Sequence, residues 1–242
     1  MSRAVIIGNP DAGKWLRRFF WTHPEWWSLC LVALAWGLLV AQVGAHSGHM
    51  HHEMPFPVEF LNWCLMVVAM MVPLMLEPLR WVAFQSFHRR RHRAMLLFLL
   101  GFLVPWLMVG LVAAWLRTPD WSQNPLLASG MFGLAALWVL VPLRARALVV
   151  CHLTVPLAPS GWQADRDCLR FSLRQGSSCV VTCSILMLAC SLTGHNLLAM
   201  LGGAGLGALE RRSFRPPTRR IVAGALLLAV WFLLPSSSAM HP

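Results

Sequence analysis

A segment rich in histidine and methionine follows the first apolar stretch of the chain. Four histidines, two methionines and one glutamate fall within nine residues: His46, His49, Met50, His51, His52, Glu53 and Met54. Imidazole suits Cu(II), zinc and nickel, whereas thioether sulfur is a soft ligand that selects Cu(I). The mixture predicts a segment that captures copper in either oxidation state. The alternative is a polar loop whose histidines have no ligand role.

A second set of candidate ligands consists of sulfur side chains at helical spacing. Its members stand at positions i, i+4, i+8 and i+11: Cys179, Cys183, Met187 and Cys190. At about 100° per residue, they fall within about 80° of one another on a helix. A stripe of soft sulfur predicts a path for Cu(I). The alternative is that these side chains pack as small, soft hydrophobic groups.

The apolar segment 61–78 carries further sulfur on two faces. One face holds Asn62, Met66, Met70, Pro73 and Glu77, and the other holds Cys64, Met71 and Met75. We take Cys64, Met66 and Met70 as candidate copper ligands near the outer surface, with ordinary core packing as the alternative. The carboxylate of Glu77 is energetically costly within a membrane span unless it has a function or is paired with a cation. Arg80 is the nearest candidate partner in the sequence. The adjacent Cys151 and His152 match no zinc spacing.

Composition restricts the scaffold that can position these residues. The 242-residue chain is 57% hydrophobic and 12% charged, with a mean hydropathy of +0.61. Soluble domains carry about 25% charged residues, and disordered chains have low hydrophobicity. Because a span takes about 20 residues, we expect an all-α, polytopic transmembrane helical bundle. The whole chain, 1–242, then forms a single integral membrane domain.

Seven apolar segments predict about seven spans. They cover residues 26–43, 61–78, 95–116, 126–143, 177–193, 195–209 and 221–235. If the fifth and sixth form a hairpin near residues 193–196, then 19 of the 20 lysines and arginines lie on one side, and only Arg117 lies on the other. Basic residues favour the cytoplasm. We therefore predict a cytoplasmic N-terminus, a periplasmic C-terminus, a periplasmic loop 44–60 and a cytoplasmic loop 144–176.

Other classes of protein fit the sequence poorly. The net charge of +11 comes from short arginine clusters between apolar runs, so we expect no nucleic-acid partner. Residues 8–14 imitate a phosphate-binding loop, but Trp15 replaces the Ser or Thr that binds magnesium, so we expect no nucleotide. Hydrolase motifs and paired histidines within the spans are missing from the sequence. We therefore expect a protein that is not an enzyme and has no catalytic residues.

Four motifs resemble those of a bacterial family of predicted metal-binding integral membrane proteins, sometimes labelled copper chaperone. The similarity covers about residues 60–210 and rests on Trp63-x-x-Met66-x-x-Ala69-Met70-Met71-x-Pro73, Pro142-Leu143-Arg144 followed by Cys151, Gly176-x-x-Cys179-x-x-x-Cys183-x-x-x-Met187, and Glu210-Arg211. Three positions depart from the family pattern. Thr182 and Ala147 stand where the family has cysteine, and Ser184 stands where it has tryptophan. The resemblance implies metal handling in a bacterial inner (plasma) membrane.

These observations lead to one favoured function and one alternative. We expect residues 46–54 to capture copper in the periplasm, residues 64–70 to receive it, and the stripe of residues 179–190 to transfer or transport Cu(I). The alternative is an accessory protein that helps to metallate a membrane-bound copper enzyme without transport. The partners expected are the lipid bilayer and either such an enzyme or a periplasmic copper carrier.

Overall fold

A computed structural model describes residues 14, 19, 21–46, 56–116, 125–193, 196–212 and 216–233. Within these ranges all regular structure is helical, which confirms the predicted all-α class. The α-helices, numbered here in chain order, are α1 (Trp26–His46), α2 (Phe56–Met71), α3 (Leu76–Gln85), α4 (Arg91–Leu116), α5 (Pro125–Leu140), α6 (Pro142–His152), α7 (Gly161–Leu192), α8 (Leu197–Arg212) and α9 (Pro216–Leu233). Single 3₁₀ turns at Pro73–Met75 and His88–Arg90 precede α3 and α4.

Two to four spans are supported by helix length and composition in the described residues. The stretches His88–Trp115 and Gly161–Leu192 are each long and apolar enough to cross a membrane. Two further spans result if α2 with α3, bent by 41°, and α5 with α6, bent by 73°, each count as one. Both bends fall at a proline, Pro73 or Pro142, which cannot donate a helical backbone hydrogen bond. The number of seven spans and the orientation of the termini stay predictions.

The two longest helices, α4 and α7, cross at close range. A Cβ atom added to Gly176 of α7 would lie 2.6 Å from the carbonyl oxygen of Phe102 in α4. A Cβ added to Gly101 of α4 would lie 2.1 Å from the hydroxyl of Ser172 in α7. Glycine at these positions therefore leaves room for the Phe102 backbone and for the Ser172 side chain. This crossing holds the helix that carries the predicted sulfur stripe.

Helices α7 and α8 form a hairpin, with the break where the sequence predicted one. The Cys190 thiol lies 3.7 Å from the carbonyl oxygen of Ala199, and a Cβ on Gly203 would lie 3.6 Å from Leu186. Asn196 caps α8, because its side-chain oxygen accepts hydrogen bonds from the backbone N–H groups of the second and third residues after it, at 2.9 and 3.3 Å. Later residues of α8 thus face earlier residues of α7.

Apolar side chains fill the interior and also cover much of the exterior. On α4, Phe98 and Phe102 are fully buried, whereas Leu96 and Leu100 are about half exposed, at 49% and 53%. A helix that is apolar on every side belongs in a large core or in a membrane. Most of the segment 144–176 is also helical, since only residues 153–160 separate α6 from α7.

Candidate metal centre

The sulfur stripe on α7 faces the interior of the bundle, as its spacing predicted. Cys179, Met187 and Cys190 are buried, and Cys183 is half-buried. The neighbours of the stripe include Met71 of α2, which contacts Cys179. The helices α5, α6 and α8 also pack against α7. The side chains of the stripe therefore contact other groups of the protein and do not lie only on its outer surface.

Three sulfur atoms from α2 and α7 come together in what we call the sulfur cluster, Met71, Cys179 and Cys183. The Cys179 Sγ donates to the Met71 Sδ at 3.7 Å, and Cys183 stands one helical turn after Cys179 on α7, with its thiol in interaction range of the Cys179 thiol. When two sulfur ligands each lie about 2.3 Å from the same metal ion, the S–metal–S angle decides how far apart the two sulfur atoms are. For angles between the tetrahedral and the trigonal value, that separation is about 3.8–4.0 Å. The Cys179–Met71 pair is thus spaced nearly as two ligands of one ion.

A small cavity lies beside Cys183. It measures about 20 Å³, and its wall includes Cys183, Thr182, Arg144 and Glu210. A space of this size is enough for about one water molecule. The Thr182 hydroxyl lies 3.4 Å from the Cys183 Sγ and donates to the carbonyl oxygen of Cys179 at 2.9 Å. The cavity therefore offers room for one small ion next to a thiol.

A buried ion pair forms part of the wall of this cavity. Arg144 of α6 and Glu210 of α8 form a bidentate pair, with Nη2 and Oε2 2.6 Å apart, and only 6% and 3% of the two residues is exposed. The Arg144 Nε also donates to the carbonyl oxygen of Thr182 at 2.8 Å. Because a buried charge is costly unless it is paired, this pair ties α6, α7 and α8 together around Cys183.

Cys151 and Arg211 adjoin the sulfur cluster. The thiol of Cys151 is buried within electrostatic range of Cys179 and Cys183. The Arg211 guanidinium donates from Nη2 to the carbonyl oxygen of Cys151 at 3.1 Å, and its Nη1 lies 3.7 Å from the Met75 Sδ. Helical spacing did not single out Cys151, Met71 or Met75 as ligands. The usable signal was the place of Met71 and Cys151 in the family motifs and, for Cys151, the proline that starts α6, whereas Met75 lies outside these motifs.

The other predicted ligands lie elsewhere. Met70 and Cys190 approach each other over Gly203, since a Cβ on this glycine would lie 3.1 Å from the Met70 Cε and 3.5 Å from the Cys190 Sγ. Met66 is fully buried, and Cys64 is half-buried. Of the predicted copper-capturing segment, residues 46–54, His46 ends α1. The remaining predicted ligands there, and the side chain of His46, lie outside the described residues: His49, Met50, His51, His52 and Met54.

Glu77 stays apart from these sulfur groups. It is exposed, and Arg80, considered above as its partner, instead pairs with Glu25 at 3.0 Å.

In the part of the chain that the structure describes, no group of three or more histidine, cysteine, aspartate or glutamate side chains is arranged to hold a metal ion. The cluster of two thiols and a thioether therefore differs from a four-ligand zinc site. It matches the soft ligand set that selects Cu(I).

A helical scaffold with a buried thiol and thioether cluster defines a class of protein suited to soft metal ions. Residues 60–234, more than half of the chain, match the model of the PpoB2 family, described as copper chaperone. The chain belongs to this copper chaperone family, which confirms the family resemblance found in its motifs. No curated protein and no solved structure matches the chain. The matched range includes every residue of the sulfur cluster.

Proposed function

We propose that this protein is a membrane-embedded copper chaperone that holds Cu(I) on the sulfur cluster and passes it to a partner. The observation that carries the proposal is the 3.7 Å separation of the Cys179 Sγ and Met71 Sδ, with Cys183 one helical turn further along α7. Two thiolates and a thioether suit a low-coordinate Cu(I) ion, and such a site exchanges metal because no rigid cage must break. The proposed role is binding and transfer, without a catalytic step.

The decisive variant is Cys183→Ser, which replaces a soft ligand with a hard oxygen at nearly the same volume. We expect loss of most Cu(I) binding by the purified protein in detergent, measured by competition with a chromogenic Cu(I) chelator under reducing conditions. A buried serine can hydrogen-bond to its own helix, so folding should survive. The matched control is Cys168→Ser on the same helix, because Cys168 is buried but donates to Ala94, at 3.2 Å, outside the cluster. Equal Cu(I) affinity in both variants and the parent would contradict the proposal.

A further proposal is that copper moves along α7. Cys190, which converges with Met70 at Gly203, lies eleven residues from Cys179 at the other end of the stripe. At about 1.5 Å per residue, Cys179 and Cys190 are about 16 Å apart along the axis of α7. Met187 is fully buried between them and could serve as an intermediate ligand. Transfer between the two groups would support transport, whereas binding at the cluster alone would support the accessory role.

We also propose that residues 46–54 capture copper in the periplasm, in a protein of the bacterial inner membrane. Replacing His46, His49, His51 and His52 with alanine should lower Cu(II) loading, because imidazole is the harder ligand of the segment. Cu(I) binding should fall less, since Met50, Met54 and the buried sulfur remain. Metal analysis of this variant and of the parent protein, after loading with each ion, checks this. Unchanged Cu(II) loading would mean that the segment is only a polar loop.

The partner that receives copper is proposed to be a membrane-bound copper enzyme or a periplasmic copper carrier. The description of the family as copper chaperone favours delivery to another protein. Co-purification of such an enzyme with the parent chain, and its loss of copper when the chain is deleted, would support this role.

A further inference from the structure

Fully buried sulfur side chains converge on one stretch of α8, apart from the sulfur cluster. The Cβ that Gly203 lacks would lie 3.1 Å from the Met70 Cε and 3.5 Å from the Cys190 Sγ. The Cys190 Sγ also lies 3.7 Å from the carbonyl oxygen of Ala199, whose peptide bond leads directly into Met200. Sulfur side chains from α2 and α7 therefore meet against the part of α8 that carries a further methionine.

The register of α2 against α8 adds Met66 to this group. A Cβ on Gly207 would lie 3.4 Å from the Leu74 Cδ1, just as a Cβ on Gly203 would lie beside Met70. From the second of these contacts to the first, both helices advance by four residues, so α2 and α8 run in the same direction with matched rise. One turn earlier in each helix, Met66 therefore stands level with the methionine of α8.

Burial indicates that the two outermost methionines face each other across this contact. Met66 and Met200 are both fully buried. Met200, Gly203 and Gly207 recur at positions i, i+3 and i+7, which places them on one face of α8, the face toward α2. On the other side of α8, Leu198 is 79% exposed. Three thioethers and one thiol thus share a dry interior between α2, α7 and α8.

We infer that Met66, Met70, Cys190 and Met200 form a second Cu(I) site, which we call the methionine site. Thioether and thiol sulfur are soft ligands that select Cu(I), whereas zinc takes thiolate, imidazole or carboxylate ligands. The inference rests on the proposed function, because this site lies at the opposite end of the α7 stripe from the sulfur cluster and supplies the copper that moves along it. Met200 is a ligand that no motif in the sequence singled out.

The test removes one thioether without changing the packing, because methionine also serves as ordinary core filler. Met200→Leu keeps nearly the same volume. We expect this variant to bind one equivalent of Cu(I) fewer than the parent, counted by equilibrium dialysis in detergent under reducing conditions, with unchanged Zn(II) binding. Met66→Leu, on the facing helix, should lose the same equivalent and replaces Met200→Leu if that variant does not fold.

The matched control is Met95→Leu on α4. Met95 is also fully buried, but it follows Ala94, whose carbonyl oxygen accepts a hydrogen bond from the Cys168 thiol at 3.2 Å. Cys168 and Cys190 are separated by about 33 Å along the axis of α7, at about 1.5 Å per residue. Met95→Leu should therefore bind as many equivalents of Cu(I) as the parent.

The outcomes separate the methionine site from the sulfur cluster. Cys183→Ser should lose a different equivalent, so its combination with Met200→Leu should lose two. An unchanged number of equivalents in Met200→Leu would overturn the inference, and so would an equal loss in Met95→Leu. If Cys183→Ser binds as much Cu(I) as the parent while Met200→Leu loses one equivalent, the role of the cluster fails and the methionine site stands.

Discussion

At the scale of single residues, two departures from the family pattern lie beside the sulfur cluster. Thr182 adjoins Cys183, with its hydroxyl 3.4 Å from the Cys183 Sγ. Ala147 lies one helical turn before Cys151, and its carbonyl oxygen accepts a hydrogen bond from Ser178 of α7. Cysteine at either position would stand near the thiols of the cluster. This chain therefore has no thiol at either of the two positions where the resemblance implies one.

Restoring one of these thiols should strengthen metal binding. We expect Thr182→Cys to raise Cu(I) affinity about tenfold in chelator competition, because a third thiolate adds a soft ligand. The variant also loses the hydrogen bond from Thr182 to Cys179, which should cost about 1 kcal/mol of stability. Thr182→Ser keeps the hydroxyl without adding a thiol, and its affinity should equal that of the parent. A cysteine variant with unchanged affinity would show that position 182 does not reach the metal.

At the scale of elements, the position of α7 depends on its crossing with α4. The approach of Phe102 to Gly176 leaves no space for a methyl group. Gly176 precedes Cys179 by three residues, so a shift of α7 at this point would displace the cluster. The ion pair of Arg144 and Glu210 joins α6 to α8, and Arg144 also donates to the carbonyl oxygen of Thr182 in α7. Packing and electrostatics therefore restrain α7 from two directions.

We expect Gly176→Ala to destabilise the protein by about 1–3 kcal/mol through overpacking against backbone atoms that cannot move aside. The measurement is thermal unfolding of the purified variant in detergent. The matched control is Gly202→Ala on α8, because no atom lies within 4 Å of a Cβ added there. Its higher helix propensity should add up to about 1 kcal/mol of stability. Similar unfolding temperatures for the two variants would contradict the close crossing.

At the scale of the whole molecule, the bundle combines an apolar exterior with basic residues at helix ends. Leu34, Leu137 and Leu198 are exposed at 59%, 64% and 79%. Arg90 and Arg93, by contrast, both bond to Asp165 where α4 and α7 begin. Apolar surface of this extent favours contact with lipid, and clustered arginines favour a cytoplasmic position.

The membrane orientation can be tested with reporter fusions at three sites. We expect fusions after His52 and after Met240 to report the periplasm, and a fusion after Arg93 to report the cytoplasm, because the basic residues are concentrated on one side. Activity of paired periplasmic and cytoplasmic reporters at each site is the measurement. A fusion after Met240 that reports the cytoplasm would contradict the count of seven spans.

The sequence by itself determined the helical class, the family and the shared face of the α7 sulfur stripe. Each of these depends on local properties: hydrophobicity, the helical repeat and motif spacing. The break between α7 and α8 was also predictable, because charge placement and Asn196 indicate it. The copper-capturing role of residues 46–54 stays a prediction from composition.

Only the tertiary structure decided which ligands meet. The sequence selected Met66 and Met70 from one face of α2, yet Met71 is the methionine that contacts Cys179, because the end of this helix is enclosed on several sides. Cys151 reaches the cluster because the 73° bend at Pro142 lays α6 against α7. Arg144 and Glu210 are 66 residues apart in the chain. Such pairings depend on how helices pack, which a periodic pattern in one helix does not specify.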